Sequence, residues 1–216
     1  SNIGYHVQGL DSNSDLVRRL RLADPHIFEP GLSEMIARSL ERETLVISHP
    51  DQRQKTKHYL VCVGTPVTTD GEPSYSDIVS ACRIVAADLS LQDNVMIRST
   101  LPVGSTRAYL QPILEQASGL TAGTDFSLSF VPERTLAGSA LQELRSLPQL
   151  IGGISPSCSE AASIFWAPLT STTIKLDSVE SAEIAKLANI SFRDLCFAFA
   201  NELAFVADTF NVNAFD

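Results

Sequence analysis

Apolar and polar positions follow two rhythms along the 216 residues. Short, nearly unbroken apolar runs occur at "YHVQGLD" (5–11), "TLVIS" (44–48), "HYLVCVGTP" (58–66), "NVMIRST" (94–100), "DFSLSFV" (125–131), "PQLIGG" (148–153) and "TTIKL" (172–176). Such runs read as strands covered on both faces. Between them lie segments with apolar residues at helical spacing: 14–23, 29–41 with Pro30 near its first turn, 75–89, 104–117, 139–146 and 157–168. Strand–helix alternation with short connections predicts an α/β fold. The expected form is a doubly wound parallel sheet with right-handed crossovers.

From Ser178 the rhythm changes. Residues 178–210 contain no Gly or Pro, offer Ser178 and Ser181 as N-caps, and place acidic residues in the first turns. Leu187, Ile190, Leu195, Phe197, Phe199, Leu203, Phe205 and Val206 spread over much of the circumference. A helix apolar on more than one face needs more than its own sheet to cover it. A second domain or a second subunit is expected there.

In open parallel sheets, ligands sit at the carboxyl ends of the strands. Four polar strand ends fall on that rim: Asp11, Gly64-Thr65-Pro66, Ser99-Thr100 and Pro132-Glu133-Arg134. Asp11 has the placement of the acid that holds the ribose of a dinucleotide; a helix cap shared with Ser12, Asn13 and Ser14 is the competing explanation. Glu133 and Arg134 surface where the strand "SFV" stops at Pro132, as catalytic groups or as a capping acid with its surface partner. The loops "VGTPVTTDGEP" and "RSTLPVGST" are either turns alone or backbone amides and hydroxyls facing a cofactor. Lys186 lies inside the apolar helix, where it either snorkels to the surface or aims its charge at a substrate oxygen. Asn189 and Asn201 are further polar positions on that helix. No Gly-x-Gly occurs in the chain, so the glycine turn that cradles a pyrophosphate is missing from it.

Composition narrows the partners. At 44% hydrophobic and 19% charged the chain is ordinary globular protein, and its net charge of −9 argues against nucleic acid or an anionic membrane. No apolar run approaches the roughly 20 residues of a membrane span, and no signal peptide is expected at the start. Cys62, Cys82, Cys158 and Cys196 form no C-x-x-C pair and read as reduced, mostly buried thiols of a cytoplasmic protein. The four histidines are scattered, and no metal site is expected.

Taken in order, "GLD" with Asp11, "FEPGL" (28–32), "VCVGTP" (61–66), "RSTLPVGST", "VPERTLAG", "LIGG" (150–153) and "SAEIAKLANISFRDLCFAFANELA" (181–204) resemble the nucleotide-sugar dehydrogenases, the UDP-glucose/GDP-mannose dehydrogenase family. The resemblance covers essentially the whole chain. "PER" and "FRD" look most like the branch acting on UDP-N-acetylhexosamines such as UDP-N-acetylmannosamine.

It implies a Rossmann-like NAD-binding domain over 1–176, without its first β-α unit, and a dimerisation helix over 177–216. The implied chemistry is oxidation of a sugar C6 hydroxyl to the carboxylate in two NAD-dependent hydride transfers, through a cysteine-bound intermediate, for surface polysaccharide. Asp11 then matches the ribose-binding acid; Val63, Thr65, Pro66 and Thr100 match loops lining NAD. Glu133 matches the glutamate of catalytic water and proton transfer, Lys186 the oxyanion-stabilising lysine, and Arg134 marks an N-acetylhexosamine substrate. The family asparagine falls on Ile190, leaving Asn189 as its substitute, and the second acid of the UDP-glucose branch falls on Ala137.

None of the four cysteines matches the nucleophile, which with the UDP-binding domain is expected beyond residue 216. The partners implied are a nucleotide sugar and a second copy joined through 178–210. UDP-glucose or GDP-mannose is the alternative substrate, and a non-catalytic dimerising module the alternative for the chain by itself.

Overall fold

The computed structural model describes residues 4–214. Seven strands and seven α-helices alternate: β1 (Val7–Leu10), α1 (Ser14–Arg21), α2 (Leu32–Glu41), β2 (Leu45–Ser48), β3 (His58–Val61), α3 (Ser76–Ala86), β4 (Asn94–Ile97), α4 (Gln111–Ser118), β5 (Ser127–Phe130), α5 (Ala140–Ser146), β6 (Gln149–Gly153), α6 (Pro156–Trp166), β7 (Thr173–Leu176) and α7 (Val179–Thr209). Each expected strand and helix is present. The second helix begins later than its sequence implies. Gly31, at φ 81°, is its N-cap, so Pro30 precedes the helix rather than sitting in its first turn.

The expected single parallel sheet divides in two: β1 pairs with β2, while β3-β4-β5-β6-β7 form a five-stranded sheet. The pairs are parallel except β5 with β6, which run antiparallel, so the sheet is mixed. In the usual dinucleotide order 3-2-1-4-5-6, the runs β2-β1 and β3-β4-β5 correspond to the two flanks. No strand of the described residues takes the central place. Tyr5, just before β1, lies edge-on to His58 at the start of β3, with ring centroids 6.5 Å apart, which brings the two sheets side by side.

Strand alternation sorts the core. In β4, Val95 and Ile97 join Ile78, Leu110, Leu114, Leu128 and Phe130 on one face. Met96 joins Ile151, Ala162, Phe165 and Trp166 on the other. Full burial of each large aliphatic or aromatic side chain contributes about 1.5–3 kcal/mol, so this central strand anchors both layers. Cys82 and Cys158 are buried, as expected, but Cys62 and Cys196 are exposed, because they stand at a strand end and on the free part of α7.

"LIGG" has a packing reason. A Cβ on Gly152 would come 2.2 Å from the Ser178 carbonyl oxygen, and one on Gly153 would come 2.4 Å from Ser159 N. The two glycines let β6 touch the start of α7 on one face and the start of α6 on the other. Ser178 caps α7, with Ser181 N donating to Ser178 Oγ at 3.2 Å. Only the first turns of α7 are buried, at Val179, Ala182 and Glu183. The helix then runs about 45 Å in all and exposes Phe192, Leu195, Phe197, Phe199, Leu203, Phe205 and Val206. No helix of the described residues is long and apolar enough to cross a membrane.

Candidate functional site

Three polar groups stand at strand ends, Asp11 on the two-stranded sheet and the other two on the five-stranded one. Asp11 follows β1; its backbone N donates to Ser48 O, which continues the parallel pairing. Asn13, not Asp11, caps α1, its Oδ1 accepting from Asp15 N and Leu16 N. Asp11 accepts from Asn13 N at 2.8 Å and supports the cap without being it. Asp11 therefore takes part in the turn that leads into α1 without being its cap residue.

The loops after β3 and β4 are latched together. Ser99 donates to Val63 O at 2.6 Å, and Thr65 donates to Thr100 O at 2.5 Å. Val63 packs against the core beneath, and Pro66 and Thr100 are exposed at the rim. The four loop residues expected to line a cofactor are therefore in one double loop, and Asp11, the fifth, stands apart from it on the two-stranded sheet. The helix after this loop opens with a π turn at Thr106–Leu110, whose first amides are met by a carboxylate from far along the chain. Glu183 of α7, fully buried, accepts from Gly104 N at 2.6 Å, Thr106 N at 2.9 Å and Thr106 Oγ1 at 2.7 Å. The sequence marks this acid only faintly. Its signal was an acid three residues before Lys186 on the same face of an apolar helix.

The third group surrounds Glu133. Leaving β5, the carbonyls of three consecutive residues each accept from a different side chain: Val131 O from Arg98 at 3.2 Å, Pro132 O from Gln149 at 3.0 Å, and Glu133 O from Lys186 Nζ. The Glu133 carboxylate accepts from Arg98 through one oxygen and from Thr135 N, at 2.7 Å, through the other. Burial pushes its pKa up, but the Arg98 charge and the Thr135 and Arg98 hydrogen bonds outweigh that and hold it below the usual glutamate range. The Glu133 carboxylate is thus held among donors that favour its charged form.

Burial lowers the Lys186 pKa, which Glu133 raises and the charges of Arg98, Arg193 and Arg134 lower further. Arg134 donates to Pro148 O beside the same cleft, which also holds Glu143. Cys62, just after β3, keeps part of its surface in solvent, yet the protein atoms packed around it raise its thiol pKa; the Arg98 charge lowers it and Glu133 raises it. Asn189 is exposed, and among the described residues no hydrogen bond joins it to Glu133 or Lys186. An open groove of about 510 Å³ between α2 and α5, lined by Met35, Leu141 and Arg145, contains none of these groups and is too exposed to exclude water.

Residues 1–170 match the model of the UDP-glucose/GDP-mannose dehydrogenase family, NAD binding domain. The chain belongs to the UDP-glucose/GDP-mannose dehydrogenase family. It is 31% identical over 214 residues to the UDP-N-acetyl-D-mannosamine dehydrogenase of Pyrococcus horikoshii, covering 99% of this chain and 51% of that protein. It is 31% identical to the NDP-N-acetyl-D-galactosaminuronic acid dehydrogenase of Ralstonia solanacearum, over 96% of this chain and 50% of the relative. The solved structure of the UDP-D-ManNAc dehydrogenase from Pyrococcus horikoshii superposes with a TM-score of 0.91 at 29% identity, over 99% of this chain and 51% of that one. The chain spans about half the length of the relatives it matches.

As a member of this dehydrogenase family the chain contains its NAD binding domain, and the rim residues fit that cofactor in part. The strand-end acid Asp11 and the latched loops at 63–66 and 99–100 suit a ribose and a flat ring system. The Gly104 and Thr106 amides are taken by Glu183, so they do not serve a phosphate, and no Gly-x-Gly is present to do so.

Proposed function

We propose that this chain serves NAD-dependent oxidation of the C6 hydroxyl of a UDP-N-acetylhexosamine to the uronic acid, in the cytoplasm, for surface polysaccharide. The observation that carries the reading is the convergence of Glu133, Arg98, Arg134 and Lys186 beside the latched 63–66 and 99–100 loops. NAD, when bound, supplies the hydride acceptor. Asp11 holds the ribose hydroxyls, and Val63, Thr65, Pro66 and Thr100 line the ring end.

Lys186 donates to the Glu133 carbonyl and can turn the same ammonium to an alkoxide or tetrahedral oxyanion, where a half-buried charge acts strongly. Glu133, held anionic, accepts from a water or hydroxyl and aligns it. Arg134 is the contact to the N-acetyl sugar, and Asn189 the weaker aid to Lys186. The N-acetyl branch is favoured over UDP-glucose because Ala137 stands where that branch has an acid. It is also the activity named for the Pyrococcus relative.

The test is NADH formation from NAD with UDP-N-acetylmannosamine, UDP-N-acetylglucosamine, UDP-glucose and GDP-mannose, using the whole natural product of the coding region. Two NADH per sugar with an N-acetylated substrate are expected. Faster turnover of UDP-glucose, or none with any sugar, contradicts the reading. The 216-residue polypeptide alone is expected to form no NADH, since it has no Gly-x-Gly turn and none of its cysteines matches the nucleophile.

The domain division at 176/177 belongs to the same proposal, with α7 beyond its first turns joining two copies. Phe197, Phe199 and Phe205 are each more than 60% exposed, and an apolar surface of this extent marks an interface. Sedimentation at micromolar concentration is expected to give a dimer; a monomer removes this part of the account.

A further inference from the structure

We propose that Arg98 is the positioning residue of the site: it fixes the Glu133 carboxylate in place and in charge, with Trp166 and Gln149 as its frame. The word positioning rests on the role given to Glu133 above; the contact itself does not. Arg98 directly follows β4, on the strand side that carries Met96, and is 7% exposed. Alternation along the strand turns it toward α6, where its guanidinium stacks 4.5 Å from the Trp166 ring centroid.

Its NH1 donates to Val131 O at 3.2 Å and to Gln149 Oε1 at 3.3 Å, while NH2 donates to Glu133. Gln149 in turn donates to Pro132 O. The guanidinium therefore holds both the backbone that leads into Glu133 and the carboxylate at its end. A planar, always charged fork framed on three sides cannot follow a wandering carboxylate, so the carboxylate must follow it. Arg98 is also a buried cation whose ion pair in the structure is with Glu133, which makes the charge state of Glu133 and the seat of Arg98 mutually dependent.

The other charges facing Glu133 come from every neighbouring element. Lys186 approaches from α7, Arg134 adjoins in the chain, Cys62 stands at the end of β3, and Glu143 lies in the same cleft. Lys186 is held on the carbonyl and Arg134 on Pro148 O, which leaves Arg98 as the cation bonded to the carboxylate.

Trp166 is the single tryptophan of the chain, so its emission reports the guanidinium that stacks on it. The experiment titrates the 216-residue chain with glutamate labelled at Cδ by carbon NMR, assigning Glu133 by its loss in Glu133→Gln. Trp166 emission is recorded in the same samples, over the pH range in which near-ultraviolet circular dichroism stays native. In the unaltered chain the Glu133 midpoint is expected below the ordinary glutamate range, with Trp166 emission changing at the same midpoint and losing that change in Glu133→Gln. Arg98→Met should move the midpoint to or above the ordinary range, and Arg98→Lys should recover part of the shift.

A folded Arg98→Met with an unmoved Glu133 midpoint overturns the proposal. So does Trp166 emission indifferent to Glu133 protonation. Should Arg98→Met not fold, Arg98→Lys and Glu133→Gln decide alone, and an unmoved midpoint in the first or unchanged emission in the second is equally fatal. No readout uses NAD or turnover, so failure of the dehydrogenase reading shows in the NADH assay and failure of the Arg98 assignment shows here.

Discussion

Alanine in place of Gly152 is expected to lower stability by about 3 kcal/mol, at the upper end of the usual range for overpacking. In a chain of this size that is about 6–12 °C in Tm. The added methyl would sit 2.2 Å from the Ser178 carbonyl oxygen and 2.8 Å from Ala182 Cβ. Neither neighbour can yield cheaply, since one is backbone at the α7 cap and the other is on its first turn. The φ of Gly152 is not in the left-handed region, so the whole penalty is steric. Gly64→Ala is the control: nothing lies within 4 Å of its Cβ position and its φ is also ordinary, so its change should stay within about 0.5 kcal/mol. Thermal unfolding of both variants checks the difference. Equal melting temperatures would mean that α7 is not seated on β6 as described.

The second large effect is expected at Glu183. Its carboxylate satisfies Gly104 N, at a half-buried position, and the fully buried Thr106 N and hydroxyl. Glu183→Ala leaves these donors unpaired and opens a cavity, at a cost of about 3–5 kcal/mol from roughly 1–3 kcal/mol per orphaned group. Glu183→Gln keeps one acceptor oxygen but turns an amide NH₂ toward an N–H. Its loss should be smaller than that of alanine and still clear in denaturant unfolding. Because Glu183 joins the 99–106 loop to α7, amide exchange should quicken in both, at Gly104 and Thr106 first. Exchange that quickens only globally would show that the carboxylate adds stability without holding the loop.

Much of this was legible in the residues. The unbroken apolar runs located every strand of the described residues, although the expected cover on both faces holds along the whole of β4 alone: β1, β2, β3 and β7 leave Val7, Val46, Leu60 and Ile174 exposed, because they lie toward sheet edges. Glu133 and Lys186 were legible because charge at a buried strand end, and charge inside an apolar helix, both require an explanation. Arg98 meets the same criterion after "NVMI", but its role is not legible there, since its partners lie 33 to 68 positions further on and only folding assembles them. Glu183 was hidden in the same way, with partners 77 and 79 positions back. The division into two sheets and the antiparallel β5–β6 pair were not readable, because pairing is a non-local choice that leaves the apolar runs unchanged. The need for Gly152 and Gly153 is likewise a matter of what approaches them.

We propose that the strand ends at Asp11 and the latched 63–66 and 99–100 loops together are the NAD face of the molecule. Titration of the nitrogen-15-labelled 216-residue chain with NAD, followed through backbone amides, tests it most directly. Weak binding is expected, because no Gly-x-Gly turn receives the pyrophosphate, with shifts concentrated at Asp11, Thr65 and Thr100. Shifts confined to the α2–α5 groove, or none at the rim at millimolar NAD, would contradict it.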